Sequence, residues 1–183
     1  GSGYSGEELL RLLHCHPGVK LTAITSRENA GKRVGEVFPR YMESELTFIE
    51  PDVEEVARLA RVVFLALPNG LASKYAKPLL ERGCKVIDLS ADFRLRDPSV
   101  YERYYKMPHP APELISEAVY GLSEVYGDQL AGAKLVANPG CYVTSILLPC
   151  MALLRAGLVS PEGIVAMSMS GVTGAGRKVS GDY

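Results

Sequence analysis

Apolar and polar positions along the chain fall into short alternating blocks. Leu9, Leu10, Leu12 and Leu13 recur at helical spacing, and they predict a helix opening straight out of Gly1-Ser2-Gly3-Tyr4-Ser5-Gly6. A short strand is expected at 19–24, a helix around 53–59 and a dense apolar strand at 62–67. A helix over about 71–81 should stop at Gly83, with a strand at 85–89 behind it. Residues 97–112 are rich in Pro and Tyr and carry no period, so they read as an extended excursion over the surface. Pattern returns with a strand at 134–137, Asn138-Pro139-Gly140-Cys141, and a long apolar helix over about 143–155. A last strand at 164–169 leads into Ser170-Gly171-Val172-Thr173-Gly174-Ala175-Gly176-Arg177. Strands alternating with helices predict an α/β fold, a mostly parallel sheet with helices on both faces.

Composition supports a packed core: 47% of the 183 residues are apolar, too many for disorder to be the default. The net charge of −1 gives no support for a nucleic-acid or anionic-membrane partner. No apolar run approaches the roughly 20 residues of a membrane span. The first residues lack the basic-then-apolar order of a secretion signal. A soluble, cytoplasmic protein is expected. The 4 cysteines form no CxxC pair and the 3 histidines sit at no zinc-ligand spacing, so neither a metal site nor disulfide staples are expected.

Glycines at positions 1, 3 and 6 opening a helix match the G-x-G-x-x-G dinucleotide pattern. The chemistry asks for a tight turn, close backbone approach to a pyrophosphate, and free amides at a helix start. An acid at the end of the next strand would hold an NAD ribose; here stand Thr25-Ser26-Arg27, with Lys32 and Arg33 following. A hydroxyl and a planar guanidinium suit a 2′-phosphate, so the expected cofactor is NADP(H). Glu28 is the competing residue, and would favour NAD if it pointed inward.

Cys141 follows Asn-Pro-Gly at the expected start of the long apolar helix. Partial positive charge and unpaired amides at a helix start favour a thiolate and can receive an oxyanion. Cys150, inside that helix, reads as packing, and Cys15 and Cys84 lack comparable surroundings. A nucleotide fold with such a thiolate suggests attack on an activated acyl group, then hydride transfer to the thioester.

Six segments together resemble the N-acetyl-γ-glutamyl-phosphate reductase family, in that family's order. They are residues 3–13, Ala66-Leu67-Pro68-Asn69-Gly70, Asp88-Leu89-Ser90-Ala91-Asp92-Phe93-Arg94-Leu95, Tyr120-Gly121-Leu122-Ser123-Glu124, Asn138-Pro139-Gly140-Cys141-Tyr142-Val143-Thr144, and residues 170–177. The resemblance implies a cytoplasmic, homo-oligomeric enzyme of arginine biosynthesis, reducing an acyl phosphate with NADPH. It implies a Rossmann-like NADP-binding domain over 1–139 and the start of an α+β catalytic and oligomerisation domain over 140–183. Carried over by motif, Cys141 is the nucleophile; Gly3, Ser5 and Gly6 meet the pyrophosphate; Ser26 and Arg27 hold the 2′-phosphate. Pro68 lies beside the cofactor, and Gly174 and Gly176 lie near the nicotinamide or acyl group. Asn138, Arg94 and Arg177 are substrate-binding candidates.

The family has a strand before the glycine turn and a catalytic histidine in a larger second half. Neither matches here, His109 reading as structural or surface, so the chain is expected to be a piece that would not turn over substrate alone. Aspartate-semialdehyde dehydrogenase shares the cysteine logic and is the alternative within the chemistry. A non-catalytic nucleotide-binding module is the alternative outside it, and a cysteine hydrolase lacks a matching His/Asp pattern.

Overall fold

The structure is a computed structural model and describes residues 1–176. Helix α1 (Tyr4–His14) leads into β1 (Ile24–Thr25), and a short α2 (Val34–Val37) precedes β2 (Phe48–Ile49). Then come α3 (Val53–Leu59), β3 (Val62–Leu65), α4 (Ala72–Glu81), β4 (Lys85–Asp88) and α5 (Pro98–Tyr105). A 3₁₀ turn leads to β5 (Ala118–Tyr120), followed by α6 (Ser123–Leu130), β6 (Leu135–Ala137) and α7 (Cys141–Arg155).

Every paired strand runs parallel. One sheet has the order β3-β4-β6-β5, and β1 pairs with β2 in a second. Parallel neighbours need crossovers, and the helices supply them. Helix α4 packs on β3 and β4, and α6 on β5. The larger core gathers Leu65, Ala72, Ala76, Leu79, Val86, Phe93, Leu114 and Leu135. A smaller one gathers Leu10, Ile24, Val34, Phe38 and Phe48. The architecture is Rossmann-like α/β.

Three expectations change. The strand expected at 19–24 pairs only at Ile24 and Thr25. An apolar slot of about 680 Å³, lined by 18–25 and 59–67, runs along both β1 and β3, so the preceding residues have no ladder on that side. The surface excursion at 97–112 contains α5. Asp97 caps it by accepting from the Ser99 amide at 2.8 Å, Pro98 takes the first turn, and Tyr101 is fully buried. Of the three tyrosines on this helix only Tyr101 is buried, and Tyr104 is exposed. No strand forms at 164–169, where Val165, Met167 and Met169 are almost wholly exposed. Alternating apolar residues make a strand only beside a partner, and none lies beside them among the described residues.

Candidate active site

The glycine turn closes tightly on α1. A Cβ on Gly6 would fall 1.9 Å from the Gly1 carbonyl oxygen, so only glycine lets these two segments touch. Gly3 is the N-cap and faces open space where its Cβ would project, and no side chain caps the helix. An anion can therefore approach the first-turn amides. Ser5 is exposed in that same turn.

Beside the turn lies a cleft of about 300 Å³, lined by Gly1, Ser2 and Gly3, by Thr25 to Glu28, and by Pro51, Ala66, Leu67, Pro68, Leu71 and Tyr75. Buried Ser26 ties its walls together: its Oγ is 3.1 Å from Ser2 Oγ and accepts from the Asn29 amide at 3.3 Å. Arg27 stands on the cleft's rim and donates from Nη2 to the Tyr75 hydroxyl at 2.7 Å. The other basic residues point elsewhere, Lys32 to Asn29 Oδ1 and Arg33 to the Ser44 carbonyl. An open glycine turn, two facing hydroxyls and a rim guanidinium fit a dinucleotide with a 2′-phosphate.

The loop carrying Pro68 is held from below by Asp92, which is fully buried. Its Oδ1 accepts from the Gly70 amide at 2.6 Å and from the Tyr101 hydroxyl at 3.0 Å, and its Oδ2 accepts from the Ser73 amide at 3.0 Å. Asn69 Oδ1 accepts from the Ala91 amide at 3.0 Å. Burial, then the nearby Asp92 charge, pushes the Tyr101 hydroxyl upward, so it stays a donor to that carboxylate. His109 is buried and structural: Nε2 meets the Asp92 carbonyl and Nδ1 accepts from the Ala111 amide at 3.1 Å. Sequence reading missed this cluster because Asp92 serves the start of α4, some twenty residues before it. No local pattern encodes such a cap.

Cys141 is the first residue of α7, is exposed, and follows the N-cap Gly140 with no capping side chain. Gly140 also passes close to Arg94, and a Cβ there would lie 3.2 Å from Nη1. Arg94 donates to the main chain, from Nε to the Asn138 carbonyl and from Nη2 to the Leu89 carbonyl, both at 2.7 Å. The Asn138 amide donates to the Asp88 carbonyl at 2.8 Å, continuing the β4–β6 ladder into the turn. Buried Asp88 accepts from the Ser90 amide and hydroxyl, and burial pushes its carboxyl up to about 6 against those bonds.

Sheet register sets the spacing between the loop that lines the cleft and the turn that carries the thiol. Leu65, Asp88 and Ala137 lie in one row across three parallel strands. The cleft loop leaves β3 at Ala66 and the cysteine turn leaves β6 at Asn138, so they start two strand spacings, about 10 Å, apart on the same carboxyl edge. In open α/β sheets that edge is where ligands bind. Gly174 and Gly176 fall in or beside a 3₁₀ turn at Val172–Ala175, within an exposed stretch that does not line the cleft. Arg177 lies outside the described residues. No cluster of metal-ligating side chains occurs among the described residues. No described helix is long and apolar enough to cross a membrane.

A dinucleotide-type cleft and an exposed thiol on one strand edge define a class: a nucleotide-binding α/β protein with an exposed cysteine at a neighbouring helix start. Residues 1–133 match the family described as semialdehyde dehydrogenase, NAD binding domain, and residues 141–183 match semialdehyde dehydrogenase, dimerisation domain. The chain belongs to the semialdehyde dehydrogenase family. It is similar to proteins named N-acetyl-gamma-glutamyl-phosphate reductase. That of Akkermansia muciniphila is 57% identical over 183 residues, covering 98% of this chain and 53% of the relative. That of Halorhodospira halophila is 53% identical, covering 97% and 52%. The chain thus spans about half the length of the curated relatives it matches.

Proposed function

We propose that this chain carries the NADPH-binding and nucleophile-bearing parts of an N-acetyl-γ-glutamyl-phosphate reductase, a step of arginine biosynthesis in the cytoplasm. The carrying observation is the shared strand edge: the turn that bears Cys141 leaves the sheet about 10 Å, two strand spacings, from where the cofactor-cleft loop leaves it. Residues 1–139 form the dinucleotide domain, and 140–183 begin the catalytic and oligomerisation domain of a homo-oligomer. The dimerisation-domain match supports the latter.

Cys141 Sγ attacks the acyl carbon of the acyl phosphate, and the C–O bond to phosphate breaks to leave a thioester. First-turn amides of α7 stand ready for the oxyanion that forms and collapses. When bound in the cleft, NADPH would supply the hydride for reduction of the thioester carbonyl. Collapse of the resulting adduct returns the thiolate and releases the semialdehyde. Gly3, Ser5 and Gly6 take the pyrophosphate, Ser26 and Arg27 the 2′-phosphate, and Pro68 walls the cofactor. Gly174 and Gly176 lie at the nicotinamide or acyl group. Asn138, Arg94 and Arg177 serve the substrate, and Arg94 also braces the turn that presents it.

The test is NADPH oxidation by the full-length protein with N-acetylglutamyl phosphate or aspartyl phosphate. A preference for the N-acetylglutamyl substrate is expected; a preference for aspartyl phosphate overturns the substrate assignment.

A further inference from the structure

Arg27 is the guanidinium that the cofactor cleft places at its rim, and its partner is unusual for a surface arginine. Among the described residues no carboxylate pairs with it. Its Nη2 donates instead to the Tyr75 hydroxyl, 48 positions along the chain and 2.7 Å away. Tyr75 itself lines the cleft.

The two residues differ sharply in how firmly they are held. Arg27 is exposed, on the loop leaving a two-residue strand. Tyr75 stands on α4, whose Ala72, Ser73, Ala76 and Leu79 are all buried, and its ring packs on the main core. Asp92 pins the start of that helix through the Gly70 and Ser73 amides. The hydroxyl is thus a fixed point and the guanidinium a movable one.

We propose that Tyr75 is a positioning residue for cofactor choice: it holds the Arg27 guanidinium pre-set at the adenosine end of the cleft, and so sets the preference for a 2′-phosphorylated dinucleotide. This rests on the NADPH reading above. A free arginine gives up much rotamer freedom when it captures a phosphate, whereas a tethered one has already given it up. One tether uses one of five guanidinium donors and leaves the rest for phosphate oxygens. A hydroxyl partner, unlike a carboxylate, does not cancel the cation's charge. With the tether gone, Glu28 is the adjacent acid free to draw Arg27 away.

The test measures binding of 2′,5′-ADP and of 5′-AMP by calorimetry to the full-length protein and its Y75F, R27A and double variants. Y75F keeps the ring and removes only the oxygen. R27A is expected to weaken 2′,5′-ADP by about thirtyfold, as loss of a charge-assisted contact does. Y75F is expected to weaken 2′,5′-ADP by about fivefold, leave 5′-AMP unchanged, and have no further effect in the R27A background. Equal weakening of both nucleotides by Y75F would make Tyr75 a general wall of the cleft and overturn the proposal. No change in either, or a Y75F effect that persists without Arg27, would overturn it too. If the unsubstituted protein binds both nucleotides alike and R27A alters neither, the NADP reading itself fails and the proposal falls with it.

Discussion

Two stretches of this chain carry the same kind of sequence and meet different fates. Leu135-Val136-Ala137 and Ile164-Val165-Ala166 are both short apolar runs, preceded by glycine and polar residues. The first is β6, placed between β4 and β5, and its Leu135 is fully buried. The second is irregular and Val165 is 90% exposed. Apolar content states a demand for burial, and neighbours decide whether the demand is met. The same contrast separates α4, with its four buried residues, from α7, which has none among its fifteen despite being more apolar. The fold up to β6 has a core of its own. The region from Cys141 onward presents an exposed thiol and an apolar surface.

The comparison breaks most visibly through activity. Cys141→Ser should cut NADPH-dependent turnover of the full-length protein by about a thousandfold or more and leave its melting temperature unchanged. Turnover within tenfold of normal would show that the second region contributes no nucleophile.

Stability sharpens it next. Leu135→Ala should cost the 183-residue chain about 3 kcal/mol in denaturant unfolding, by loss of burial and the cavity left behind. Met167→Ala, at an exposed position, should stay within about 0.5 kcal/mol. Equal costs would contradict the division.

A pH experiment probes the edge between the regions, where Asp88 supports the cysteine turn. Its carboxyl is raised to about 6 in the folded protein, above the ordinary carboxylate value. The folded state therefore holds the proton more tightly than the unfolded state. This contribution to stability is present at about pH 4, falls as pH rises toward 6, and is worth at most about 3 kcal/mol. Asp88→Asn can keep the Ser90 amide bond, with its side-chain NH2 donating to the Ser90 hydroxyl oxygen in place of accepting from it, and should flatten that decline, gaining on the unsubstituted protein above pH 7. Parallel pH profiles for the two proteins would contradict a buried, strained carboxylate.

Sequence alone exposed those features that local pattern encodes. The helix behind the glycine turn, Val53–Leu59, the stop at Gly83 and the helix behind Cys141 depend on nearby residues, and they stand where expected. What stayed hidden depends on distant pairing. Residues 19–23 look like strand, yet no ladder reaches them on the slot side. Asp92 reads as an ordinary loop acid until Gly70, Ser73 and Tyr101 are seen converging on it. Tyr75 reads as one more residue on a helix until Arg27 arrives beside it. In the site, Gly3, Ser26, Arg27 and Pro68 gather around one cleft, because each sits just beyond the carboxyl end of a strand or at a helix start, whereas Ser5 and Gly6 do not line it.

Two exposed thiols allow the most direct measurement. Cys15 caps the carboxyl end of α1 and Cys141 opens the amino end of α7, so they meet opposite ends of the helix dipole with similar access to solvent. Peptide-resolved iodoacetamide labelling of the folded chain at pH 7 should find Cys141 reacting at least about tenfold faster than Cys15. Equal rates, or a faster Cys15, would contradict a nucleophile at residue 141.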